Sequence, residues 1–220
     1  VSINSNGFYK ERIENFIPQL IDKHKNTEFT LSISLDGPEE IHDKVRAFKG
    51  AYKKALETID VMKNHRKKPN FFLKLASVLT KDNKKYMEDF LNQTSSWPID
   101  FHELILIRDV PTEEQLEVKK EYERLSEIQH KRTSNIWKKS FNGKLFKKLY
   151  SETLKRIDSN KVHSPCLAGG RLVEIFPDGV VRGCEVEKLW NISKIGNVKE
   201  SNFNIVDIVK SKKAKNFRKV

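Results

Sequence analysis

Residues Thr30 to Arg46 read TLSISLDGPEEIHDKVR, and the fold turns on how this stretch is read. From Thr30 to Asp36, apolar Leu31, Ile33 and Leu35 alternate with Thr30, Ser32, Ser34 and Asp36, the period-two pattern of a β-strand. Gly37 and Pro38 then end it. A strand covered by helices on both faces reads as continuously apolar, so the polar row Ser32, Ser34, Asp36 requires something polar to face. The inside of a ligand-holding barrel supplies that. Beyond the turn, His42, Asp43 and Arg46 share one rim of a helical turn above the C-terminal end of the strand, the end where α/β barrels bind ligands.

Working outward, Val1 to Asn4 reads as the end of a strand and Ser5-Asn6-Gly7 as a strand-to-helix turn. Ile13, Phe16, Ile17, Leu20 and Ile21 then form a core stripe at helical spacing. Tyr52, Ala55, Leu56, Ile59 and Met62 mark a second helix, closed by the basic run His65 to Lys68 and Pro69. A strand is expected over 71–79, a helix over 83–92 and a strand over 101–107. The order β-α-β-α-β-α-β with right-handed crossovers makes these strands parallel and adjacent. Lys74 and Glu103 stay open between an inward and an outward position, whereas His102 is assigned outward or to the rim. From Glu113 to about Asp158 the chain is charged and Lys-rich, two helices broken at Asn142-Gly143 that bridge two domains.

The segment 164–197 changes character. LVEIF and VVRGC flank a Pro-Asp-Gly turn and form a β-hairpin. Cys166 and Cys184 lie at its two ends, where thiolates can share a metal or an iron–sulfur cluster. A disulfide and two buried apolar thiols are the structural alternatives. Residues 204–220 read as one basic helix with Ile205, Ile208 and Val209 on its apolar face.

SLDGP followed by HDxxR resembles the fourth-strand signature of radical S-adenosylmethionine (radical SAM) enzymes. The resemblance implies that Ser34 and Arg46, with Asp36 beside them, hold the methionyl and ribose parts of S-adenosylmethionine; a guanidinium suits a carboxylate because it offers two parallel hydrogen bonds. NSNG resembles the family's third-strand end and places Asn6 near the cofactor. The last strand lies beside the adenine in the family, which implies Ile107. C-x12-G-x4-C, with AGG after Cys166 and IGN after Cys184, resembles the start of the SPASM or twitch auxiliary-cluster domain, which makes Cys166 and Cys184 ligands of a [4Fe–4S] cluster. Glu185 stands where sulfatase-maturing relatives carry an acidic residue that takes a substrate proton, and it reads equally as an exposed hairpin-end charge.

The implied whole is an α/β protein: a partial TIM-like (β/α) barrel over 1–110, a helical bridge over 111–160 and an incomplete SPASM/twitch-like domain over 161–220. Its implied chemistry is hydrogen-atom abstraction from a peptide or small molecule by a 5′-deoxyadenosyl radical, with an electron donor such as flavodoxin or ferredoxin. The family's C-x3-C-x2-C motif is not in this chain, which has two cysteines in all. Val1 in place of an initiator methionine, and first residues that read as the interior of a fold, lead to the expectation of a longer parent trimmed at both ends.

Composition sets the rival reading. A formal net charge of +12 over 220 residues suits nucleic acid or an anionic substrate. Against nucleic acid, the lysines spread over every helix without a stripe and no aromatic–basic motif occurs. No apolar run approaches membrane-spanning length and no signal-peptide pattern is present, so a cytoplasmic protein is expected. The alternative is a non-catalytic basic α/β binding module for RNA or peptide with structural cysteines, or a clusterless relative that binds peptide.

Overall fold

The computed structural model describes residues 1–107, 112–132, 138–140, 143–144, 147–148, 151–152, 155, 167–184 and 190–219. The chain divides into two compact units, Val1–Leu154 and Lys155–Val220.

In the first unit, β1 (Ser2–Ser5), β2 (Phe29–Ser34), β3 (Phe71–Leu79) and β4 (Phe101–Leu106) form a four-stranded sheet in the order β1-β2-β3-β4. Every pairing is parallel, as the right-handed crossovers require. The connections carry α1 (Lys10–Lys23), α2 (Glu39–Val45), α3 (Ala51–Met62) with a short 3-10 turn after it, and α4 (Lys84–Thr94); α5 (Thr112–Arg132) follows β4.

Register and alternation sort the sheet into two unlike faces. Leu31, Ile33, Leu73, Leu75, Leu79, Leu104 and Leu106 fall on one face, all buried. Helix residues Ile17, Ile21, Ala55, Ile59, Met62, Met87, Phe90 and Leu91 are buried with them as the core. The opposite face carries Asn4, Ser32, Ser34, Lys74, Ala76, Val78, Glu103 and Ile105, and along β3 and β4 it is only half-buried from Lys74 onward. Ser32 of the polar row thus has Asn4 and Lys74 beside it on this face, which also carries the buried pair Phe72 and Phe101; the four strands are a sheet and not a closed barrel.

Two expectations need correction here. Phe16 is 60% exposed, because α1 needs only Ile17 and Ile21 to close its contact with the core. His102 points to the helix-covered face as expected but is buried and not at a rim: its Nε2 lies 2.7 Å from Ser77 Oγ and its Nδ1 2.8 Å from Thr94 Oγ1. Phe90 meets it edge-on at 5.6 Å between ring centres.

In the second unit, β5 (Glu174–Ile175), β6 (Val180–Arg182) and β7 (Lys194–Asn197) form an antiparallel sheet in that order. The expected hairpin exists but is shorter, with Gly179 at φ +89° closing the Pro-Asp-Gly turn. The expected single C-terminal helix is two, α6 (Ile205–Lys210) and α7 (Lys212–Phe217). Ser211 separates them by turning to accept a hydrogen bond from Ala214 N as the N-cap of α7. Val181, Ile195, Val198, Ile208 and Ala214 make this unit's core, with Val173, Ile205 and Phe217 packed against it.

Candidate functional site

Parallel strands bring their C-terminal ends to one edge, and that edge collects Asn6 after β1, Ser34 to Gly37 at β2, Thr80 after β3 and Ile107 after β4. Asp36 is its most constrained member, 2% exposed. Its Oδ1 accepts from Val78 N at 3.1 Å, and its Oδ2 lies 2.8 Å from Arg46 Nη2. Its own N–H donates to His42 Nδ1 at 3.1 Å, which fixes His42 as the neutral tautomer carrying its proton on Nε2. Burial keeps the His42 pKa below the ordinary value, outweighing the attraction of Asp36.

The rim expected from His42, Asp43 and Arg46 is only partly formed. His42 is buried beneath Asp36. Asp43 turns away to accept from Gly50 N at 2.5 Å and Tyr52 N at 2.9 Å, satisfying N–H groups at the start of α3 that have no intrahelical acceptor. Those two backbone hydrogen bonds hold its carboxyl below the ordinary pKa. Arg46, about one-third exposed, is the member left facing outward.

Ser34 is half-buried at the end of β2, in register with Ala76. Asn6 is exposed; its Oδ1 accepts from Phe8 N at 3.0 Å and shapes the turn, while Gly7 takes φ +73°. A Cβ on Gly7 would meet Ala55 Cα at 2.8 Å, so only glycine lets this turn lie on α3. Ile107 is held through its backbone, donating to Leu79 O at 3.2 Å and accepting from Gln115 Nε2 at 3.0 Å. Asp36 and Arg46 are thus in contact, whereas Ser34, Asn6 and Ile107 share their edge of the sheet.

Sequence reasoning missed Asn83, which it read only as a helix start. Buried before α4, its Nδ2 donates to Asp36 O at 2.9 Å and Val78 O at 2.8 Å, and its Oδ1 accepts from Thr80 N at 2.8 Å. One amide thereby ties the ends of β2 and β3 together; Thr-x-x-Asn ahead of a helix is the only signal the sequence offers. Asn83→Ala strands three backbone groups and is expected to lower the stability of the first unit by about 3 kcal/mol in urea unfolding. A loss below about 0.5 kcal/mol would remove Asn83 from this account.

In the second unit, Cys184 is half-buried directly after Gly183. Cys166 and Glu185 lie outside the described residues. The turn starting at Leu167 is drawn tight, its carbonyl accepting from the N–H groups of Gly170, Arg171 and Leu172. A Cβ on Gly183 would lie 3.0 Å from Gly169 Cα, so the turn that follows Cys166 is packed against the residue that precedes Cys184. Among the described residues, no three His, Cys, Asp or Glu side chains converge to hold a metal ion, and no helix is long and apolar enough to cross a membrane.

No family model matches the sequence, and no curated protein matches it. Solved structures do resemble it in fold. Among them are structures of anSMEcpe, an anaerobic sulfatase-maturating radical SAM enzyme. Histidine-tagged anSMEcpe with bound AdoMet superimposes on 98% of this chain with a TM-score of 0.57 at 15% identity, using 55% of its own length. Native anSMEcpe with bound AdoMet and Kp18Cys peptide covers 98% of this chain and 58% of its own, with TM-score 0.53 and 15% identity. The form with AdoMet and Cp18Cys peptide gives 98%, 59%, 0.53 and 16%. At these identities the likeness shows the fold, and the chain spans little more than half the length of the structures it resembles.

Proposed function

We propose that this chain is the central part of a radical SAM enzyme, carrying part of the barrel, the helical bridge and the beginning of an auxiliary-cluster domain. The supporting observation is the fold likeness across 98% of the chain to structures that hold AdoMet. The residues at the C-terminal edge fit such a ligand. Arg46 keeps a partly exposed guanidinium with one nitrogen on Asp36, leaving N–H groups to receive a carboxylate or ribose hydroxyls. Ser34 adds a hydroxyl, Asn6 a side-chain amide and Ile107 an apolar surface for the adenine. Asp36 orients Arg46 and is itself held by Val78 N, so the grip is set before the ligand arrives.

S-adenosylmethionine held at this edge would supply radical hydrogen-atom abstraction once given an electron from a [4Fe–4S] cluster. The chain contributes binding, orientation and exclusion of water. Cys166 and Cys184 would ligate an auxiliary [4Fe–4S] cluster, two of about four protein ligands such a cluster takes. The apposition of Gly169 and Gly183 supports that role by bringing the chain beside each cysteine together. Glu185 would take a substrate proton. A peptide substrate is favoured because two of the similar structures hold peptides, with a flavodoxin or ferredoxin as electron donor in the cytoplasm.

Isothermal titration of the chain with S-adenosylmethionine tests the reading. Arg46→Ala is expected to weaken binding about tenfold, the loss of one charge-assisted bond, and Ser34→Ala by less. Equal affinity of wild type and Arg46→Ala, or no binding by either, contradicts it. Without C-x3-C-x2-C the chain alone is expected to release no 5′-deoxyadenosine, and release would overturn the assignment of that cluster to residues outside it.

A further inference from the structure

Lys74 of β3 and Glu103 of β4 form an ion pair on the polar face of the sheet, away from the helix-covered core. Their side chains are 12% and 19% exposed. Taking two charges this far out of water costs more than placing apolar residues of similar size there, so the pair is poor as a device for stability alone. The mutual contact uses one ammonium hydrogen and one carboxylate lone pair, leaving two donors and further acceptor positions. Among the described residues neither side chain has a second partner. Ser32 pairs in register with Lys74, and Ser34 reaches the level of Glu103 through Ala76, so the charges stand beside the strand end that carries Ser34.

We propose that Lys74 and Glu103 form a recognition subsite for a peptide group of the substrate, Lys74 donating to its carbonyl oxygen and Glu103 accepting from its N–H. This deepens the preceding reading, naming what the polar face binds beside S-adenosylmethionine. Adjacent donor and acceptor match a peptide group, which presents one acceptor and one donor, better than a phosphate or a lone cation, each of which one member of the pair would repel. Ala76 and Ile105, on the same face, offer small and apolar surface for the flanking chain.

The test is a nuclear magnetic resonance titration of the full chain with the capped residue N-acetyl-L-alanine N′-methylamide, following the amides of Ala76 and Ile105. Saturable shifts there are expected. The double variant Lys74→Glu/Glu103→Lys keeps the attraction but exchanges donor and acceptor positions, so it should retain the wild-type melting temperature and bind the probe about tenfold more weakly. Lys74→Gln/Glu103→Gln guards against misfolding of the exchanged pair and should weaken the probe similarly. Unchanged probe affinity in a folded variant, or no shift at Ala76 and Ile105 in the wild type, overturns the subsite. S-adenosylmethionine added to the same samples separates the two ideas: if it fails to bind while the probe binds as described, the cofactor reading falls and the subsite stands.

Discussion

Acidifying the chain from pH 7 to pH 5 is expected to destabilise the first unit by about 2 kcal/mol through His102 alone, at roughly 1.4 kcal/mol per pH unit. Burial pushes His102 down to about 3 from an ordinary value of 6.5. Between those values the unfolded chain takes up a proton that the folded chain refuses, so stability is fully present above about pH 6.5 and is lost progressively as the pH falls toward 3. The geometry gives the reason. Ser77 donates its hydroxyl to Leu35 O, so His102 Nε2–H donates to Ser77, and Nδ1 is left to accept from Thr94. A second proton on Nδ1 would charge a ring buried against Phe90, and the Thr94 hydroxyl would have to turn from Nδ1 to Leu91 O, 3.3 Å away. His42 adds to the slope in the same direction, since its pKa is also lowered by burial. Hydrogen exchange of the β3 and β4 amides across this range reads the effect, and His102→Gln should flatten it. A protection pattern level from pH 7 to pH 5 would contradict the assigned environment.

Replacing Gly183 by alanine should break the second unit. The added Cβ would sit 2.3 Å from Phe217 Cε1 and 2.6 Å from its Cδ1. Phe217 has no room to retreat, because a Cβ on Gly169 would meet the same ring at 2.6 Å, and the ring packs against the core of Val181, Ile195, Val198, Ile208 and Ala214. Arg218 locks the arrangement by donating to Gly169 O at 2.6 Å and Val209 O at 3.0 Å. Overpacking of this kind costs about 3 kcal/mol, a large part of the stability of a unit with so small a core. Limited proteolysis should show residues 167–219 becoming susceptible while the first unit stays protected, and Phe217→Leu should restore part of the resistance. Wild-type resistance in Gly183→Ala would mean that the ring is not held against these glycines.

The parallel order of the first four strands was legible because each strand announces itself by alternation or an apolar run and each crossover by a helical stripe. Asp36 and Arg46 were singled out within one local stretch, but their contact with each other was not expected. What the sequence hid depends on distant partners. Asp43 serves α3 because Gly50 and Tyr52 carry free N–H groups, a demand created only when the chain folds back. The pairing of Lys74 with Glu103, and the three bonds of Asn83, join residues whose register is set by sheet assembly. β7 escaped notice because IGN is short and gains its strand character from pairing with β6. Gly169 and Gly183 read as motif positions, and the ring of Phe217 packed against both gives their physical reason.

The central claim is that the C-terminal edge of the parallel sheet holds S-adenosylmethionine. Mapping amide shifts on adding S-adenosylmethionine to the chain tests it most directly. The largest shifts are expected at Asn6, Ser34, Gly37, Arg46 and Ile107, with Ser2, Phe29, Phe71 and Phe101 at the opposite edge unmoved. Shifts concentrated at that opposite edge or in the second unit, or none at all, would contradict it.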